Sequence, residues 1–114
     1  MIFKNLTPHP ITLRSASGDI VVPPEAIPAR VEVLAGAERR IEGCPLPILP
    51  APTYGPVTAL PEAVPGVLLI VSGLVLSRVL RGDVFGPGTG PNDGAIRNEK
   101  GHIVAVTRLI SSLH

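Results

Sequence analysis

The 114-residue chain has no tryptophan and no glutamine, a single cysteine and a single methionine, and its only aromatic residues are two Phe and one Tyr. Each scarcity closes off a class of protein. At 3% aromatic residues it lacks the platforms on which unpaired bases stack. A net charge of +1, from 10 basic and 9 acidic residues, leaves no basic footprint for a nucleic acid. The lone Cys44 allows neither an intramolecular disulfide nor a cysteine-built zinc cage. Between Gly43 and Pro45 it reads as a structural thiol in a turn. His9, His102 and His114 fall on unrelated elements, with no H-x-H or H-x₃-H spacing, so neither a metal nor a cofactor is expected. The longest apolar run, Val67 to Ser77, is too short to span a bilayer as a helix. The opening MIFKNLTPHP lacks the apolar region and cleavage site of a signal peptide. The expectation is a cytoplasmic protein with no membrane partner.

What is present is aliphatic. Apolar residues make up 45% of the chain, too many for disorder. The length suits one domain, residues 1–114, burying about two-thirds of its unfolded surface. Fourteen prolines and few labile side chains fit a thermophile's protein and equally a GC-rich genome.

Period-two alternation predicts strands at Met1–Leu6, Ile11–Leu13 and Ile20–Val22, the last two forming a hairpin across Ser15–Asp19. Arg30–Leu34 is a further strand, expected to turn at Ala35–Ala37 and pair with Arg39–Glu42. From Gly43 to Gly66 prolines stand at positions 45, 47, 50, 52, 56, 61 and 65, a spacing that no α-helix or central strand survives. That segment is expected to hug the sheet, with one short strand at Val57–Ala59, because Leu46, Ile48 and Leu49 are too apolar for water. Val67–Val71 reads as a strand buried on both faces. Ser72 is placed to cap a helix over residues 73–81, with Gly82 as its stop. Asp83–Phe85 comes next as a strand parallel to the first. Ala95–Arg97 and His102–Ile110 form a second hairpin around Asn98–Gly101. The fold class expected is α+β and β-rich: a mostly antiparallel sheet or partly closed barrel with one short helix.

The segment richest in special backbone is Gly86-Pro87-Gly88-Thr89-Gly90-Pro91-Asn92-Asp93-Gly94. Glycine permits positive φ and close approach, while proline fixes φ, so the loop is shaped and not slack. Concave sets of backbone N–H groups in such loops hold anions. It lacks the Gly-Lys-Ser/Thr ending of a P-loop, and the segment downstream of it reads as hairpin instead of the helix a dinucleotide site needs. His9, held extended between Pro8 and Pro10, is a candidate base or anion ligand. Arg97 is a candidate anion clamp, with Arg78 and Arg81 nearby in sequence. The candidate ligand-binding set is therefore His9, Gly88, Thr89, Gly90, Asn92, Asp93 and Arg97. Val71-Ser72-Gly73 lacks the G-x-S-x-G nucleophile elbow, and Tyr54 reads as a packing anchor.

Asn5-Leu6-Thr7-Pro8-His9-Pro10-Ile11, Tyr54-Gly55, Leu60-Pro61, Ile70-Val71-Ser72 and Pro87–Ala95 with Arg97 carry a resemblance over nearly the whole chain. The chain resembles a group of small bacterial and phage proteins that open with N-L-T-P-H. These carry V-S after an apolar run, then R-x-D and a Pro-rich segment before a final hairpin. No function is assigned to that group, so the resemblance implies a stand-alone domain and no catalytic residues.

The leading expectation is a binding protein for a small molecule bearing phosphate or carboxylate. The runner-up is a structural or protein-interaction module, in line with a phage or bacterial assembly. The third is a small hydrolase using His9 and Asp93. A homo-oligomer is expected in any case, since short aliphatic β-domains often pair through an edge. A deep polar pocket beside the loop favours the first reading, and an exposed apolar surface the second.

Overall fold

The computed structural model describes residues 1–114. At its centre lies a four-stranded sheet in the order β1-β6-β7-β10, built from Ile2–Asn5, Val67–Ile70, Val84–Pro87 and Leu109–Ser111. β1 and β7 both run parallel to β6, and β10 is antiparallel to β7. The domain is β-rich with one short helix, as expected, but the barrel is not formed. The antiparallel ladders belong mainly to three two-stranded sheets, while the central sheet is mixed. The β6–β7 pair is parallel because α1 (Gly73–Leu76) and the turns after it carry the chain back to the end of the sheet where β6 began, and β7 starts there.

β6 is hidden on both sides. Leu69 and Val71 face a cluster formed with Val84, Val75 and Val79, and with Leu6, Ala29 and Val31. Ile70 alternates to the opposite face and is fully buried there. That second face is covered by the hairpin β2 (Ile11–Ser15) and β3 (Gly18–Val22). A bridge between Leu13 and Val106 joins the hairpin to β9 (Ile103–Ala105), which pairs with β8 (Ile96–Arg97). The predicted strand His102–Ile110 is thus two strands serving two sheets, with Thr107 and Arg108 at the crossing.

The helix is shorter than the predicted 73–81. The Ser77 hydroxyl donates to the Leu74 carbonyl at 2.7 Å. The Arg78 and Val79 amides reach back only three residues, to Val75 and Leu76 at 3.0 and 3.4 Å. These bonds tighten the end into a turn. Ser72 stands at the N-cap but its side chain makes no cap bond. Further along, the Ser112 hydroxyl accepts from the Arg81 amide at 3.0 Å and donates to the Arg81 carbonyl at 2.6 Å. This ties the C-terminal strand to the crossover.

The largest departure lies in the middle of the chain. β4 (Arg30–Leu34) pairs with β5 (Thr53–Thr58), not with Arg39–Glu42. The two strands open a long ribbon. Val33 faces Tyr54, Leu34 faces Thr53, and Arg39 and Ile48 exchange both backbone hydrogen bonds in the same register. Hydrogen-bonded pairs recur at every second residue of an antiparallel ladder. From Ile48 toward the root of the ribbon, these positions fall on Pro50 and Pro52, which have no N–H to give. The ladder is therefore interrupted between its root and its tip. Pro56 is tolerated inside β5 because it lies in a bulge, where Gly55 and Pro56 together oppose Glu32. The expected packing of the proline-rich segment holds only for its second half, where Tyr54, Val57 and Leu60 pack against the core cluster; at the tip Leu46 and Leu49 remain 66% and 68% exposed.

Candidate functional site

The N-L-T-P-H stretch is built around Asn5, which is fully buried. Its Nδ2 donates to the His9 carbonyl at 2.7 Å and the Val22 carbonyl at 3.0 Å. Its Oδ1 accepts the Thr7 amide at 2.9 Å and the Thr7 hydroxyl at 2.6 Å. Every donor and acceptor position of the amide is used, which fits one residue type at this point. Asn5 thereby fastens β1, the turn through His9 and the end of β3 together. His9 takes part through its carbonyl; its side chain is exposed.

The glycine loop is equally occupied with itself. The Gly88 amide donates to the Arg108 carbonyl at 2.9 Å. The Gly90 amide donates to Asp93 Oδ2 at 2.8 Å, and the Asp93 amide returns a bond to the Gly90 carbonyl at 3.1 Å. The anion in this nest is the chain's own carboxylate. Close approach explains the glycines: a Cβ on Gly88 would lie 2.9 Å from the Arg108 carbonyl oxygen, and one on Gly90 2.7 Å from Asp93 Oδ2. Thr89 and Asn92 are exposed, and the Asn92 carbonyl accepts from Arg108 at 3.2 Å. Arg97 points elsewhere, bonding the Gly101 carbonyl at 2.7 Å across the β8–β9 turn. The structure thus joins Gly88, Gly90, Asn92 and Asp93 into one unit. Thr89 lines a cavity of about 110 Å³ whose opposite wall includes Pro10, the neighbour of His9.

What the loop grips is the crossing between the two sheets. Besides the two bonds to Arg108, the Gly94 carbonyl accepts the Thr107 hydroxyl at 3.0 Å. Thr107 and Arg108 in turn line a cleft of about 280 Å³ between the central sheet and the β2–β3 hairpin. Its walls are Phe3, Leu13, Ile20, Val106 and Leu109, with Arg14 and Ser15 beside them. Arg14 is held by Asp19 through two bonds of 3.0 Å. These bonds draw the Asp19 carboxyl below its ordinary range, with desolvation opposing them. The same bonds raise the Arg14 guanidinium above its ordinary value. Arg108 forms no ion pair.

Sequence reasoning passed over Asn5, Arg14 and Arg108. A polar residue inside an otherwise alternating first strand is the available signal for Asn5. Nothing local marks Arg108, whose setting depends on where one continuous apolar stretch changes sheets. No helix is long and apolar enough to cross a membrane. Comparison with known protein families, with curated proteins and with solved structures finds no match.

Proposed function

We propose that the protein is a self-assembling structural module, a subunit whose ribbon Arg30–Thr58 docks against further copies of the same chain. The observation that carries this reading is surplus surface. The chain exposes 7851 Å², whereas a compact monomer of 11.9 kDa exposes about 5,900 Å². The excess of roughly 1,900 Å² is more than twice the ~800 Å² that each partner contributes to a standard interface. The radius of gyration is 17.5 Å, against about 13 Å for a compact chain of this length. The ribbon carries a share of that surface that is apolar: Val33, Leu34, Ile41, Leu46 and Leu49 are all exposed along it. Its charges are three Arg (30, 39, 40) and three Glu (32, 38, 42), so like ribbons do not repel one another. The glycine loop, its Gly88, Gly90 and Asp93 amides already bonded within the chain, serves as a clamp in this reading and not as a ligand cradle.

Sedimentation equilibrium at micromolar concentration tests it. The wild-type chain should run as a dimer or larger. Leu46→Ser with Leu49→Ser should run as a monomer with unchanged secondary structure, because both side chains already face solvent in the single chain. A wild-type monomer at high concentration overturns the proposal.

A further inference from the structure

We infer that the cleft between the β2–β3 hairpin and the central sheet binds a small organic anion with an aliphatic body, its head group lying at Arg108. The observation is independent of the ribbon. The hairpin covers the second face of the sheet incompletely and leaves about 280 Å³ walled by Phe3, Leu13, Ile20, Val106 and Leu109. If one heavy atom needs the ~30 Å³ of one water molecule, the space takes about nine atoms. Such a volume lies near the lower end of small-ligand pockets, which are likewise apolar with a few placed polar groups.

The polar groups here carry one sign. Arg14 and Arg108 both border the cleft, and no Asp or Glu lines it. Arg14 is engaged with Asp19 at 3.0 Å. Arg108 has no carboxylate partner; its one side-chain hydrogen bond runs from Nη1 to the Asn92 carbonyl at 3.2 Å. The guanidinium thus keeps donors for a carboxylate or phosphate, which it binds in a charge-assisted, often bidentate manner. Its backbone is fixed independently of any ligand, by the Gly88 amide on its carbonyl. Thr107, beside it, is held by the Gly94 carbonyl. The glycine loop is therefore a support for the anion-binding side chain. A cation beside an apolar slot favours amphiphiles: the slot adds affinity for an aliphatic body that inorganic phosphate lacks, and the arginine favours an acid over an alcohol.

Calorimetric titration of the full chain with octanoate, octyl phosphate and octanol tests the inference. At least one of the two anions should bind saturably at one site per chain, and octanol at least about tenfold more weakly. Octanoate and octyl phosphate titrated side by side tell a carboxylate site from a phosphate site. Arg108→Ala should weaken anion binding by about tenfold to a hundredfold. Ile20→Trp fills the slot from its rim, at a residue already 52% exposed, and should abolish binding while the melting temperature is kept. The inference is overturned if neither anion binds at millimolar concentration, if octanol binds as tightly as the anions, or if binding survives Ile20→Trp.

Discussion

The strand β6 and the ribbon tip are similar in hydropathy and opposite in fate. Val67-Leu68-Leu69-Ile70-Val71 passes through the middle of the molecule, with Leu69, Ile70 and Val71 at most 2% exposed. Leu46-Pro47-Ile48-Leu49 is also dominated by branched aliphatic side chains, yet its two leucines are about two-thirds exposed. The difference is in the backbone. β6 has an N–H at every position and bonds to a strand on each side. The ribbon segment carries Pro45, Pro47, Pro50 and Pro52, which deny a neighbouring strand its donors. Hydrophobicity marks what must be covered; the pattern of backbone donors decides whether the chain's own sheet can do the covering. Where it cannot, the apolar surface is left exposed.

This contrast can be broken most strongly at Asn5, in the closed body. Asn5→Ala leaves the Thr7 amide without its acceptor and takes one bond each from the carbonyls of His9 and Val22, the His9 carbonyl keeping the Thr7 hydroxyl at 3.0 Å. At ~1–3 kcal/mol for a buried group left unpaired and ~0.5–1.5 kcal/mol for each further hydrogen bond removed, the total loss is about 2 kcal/mol or more. Urea unfolding should show it as a lower midpoint with unchanged slope. A loss below about 0.5 kcal/mol, the size expected of a surface change, would mean that the body is not locked there.

A smaller effect is expected at the root of the ribbon. The Arg78 guanidinium lies 4.8 Å from the centre of the Tyr54 ring and so ties β5 to the crossover after α1. Arg78→Ala should cost about 0.5–1 kcal/mol. Amide exchange should quicken in Arg30–Leu34 and Thr53–Thr58 and stay unchanged in Val67–Ile70. Uniform quickening across all three segments would show that ribbon and body open as one unit.

The smallest effect is on the β2–β3 hairpin. Its Asp19 carboxyl is depressed by the hydrogen bonds from Arg14. A depressed folded value means that the contribution is complete above the ordinary Asp range near ~3.9 and is lost as pH falls through the lower folded value. NMR titration should place the Asp19 midpoint below that of a free aspartate, with the Ile11–Val22 amide shifts tracking it. An ordinary midpoint would show the ion pair absent in solution.

Much of the fold was legible because its signals are local. Ile11–Leu13 and Ile20–Val22 alternate across a short turn, and Asn98–Gly101 closes a second hairpin. Val67–Val71 announces a strand buried on both faces through its unbroken run of branched side chains. The candidate site was legible only as a place of unusual backbone. The glycines of Gly86–Gly94 do permit close approach, but what approaches Gly90 is Asp93 and what approaches Gly88 is Arg108. Sequence adjacency favoured Arg97 as the cation of the site. In the fold Arg97 serves its own turn, and the side chain that reaches the loop is Arg108, from the crossing between β9 and β10.

The sequence by itself determined which segments are extended, where the chain turns, and that its core is aliphatic and its charge balanced. Those properties come from side-chain alternation, proline and glycine positions and composition, all of which act over a few residues. Only the tertiary structure decided that Arg30–Leu34 takes Thr53–Thr58 as its partner, across an 18-residue excursion (residues 35–52). It alone ended the helix at Leu76, split His102–Ile110 between two sheets, and left Leu46 and Leu49 in solvent. Each of these outcomes turns on competition among distant backbone donors and acceptors for partners, and on the space left between two layers. Neither quantity exists until the chain has closed on itself.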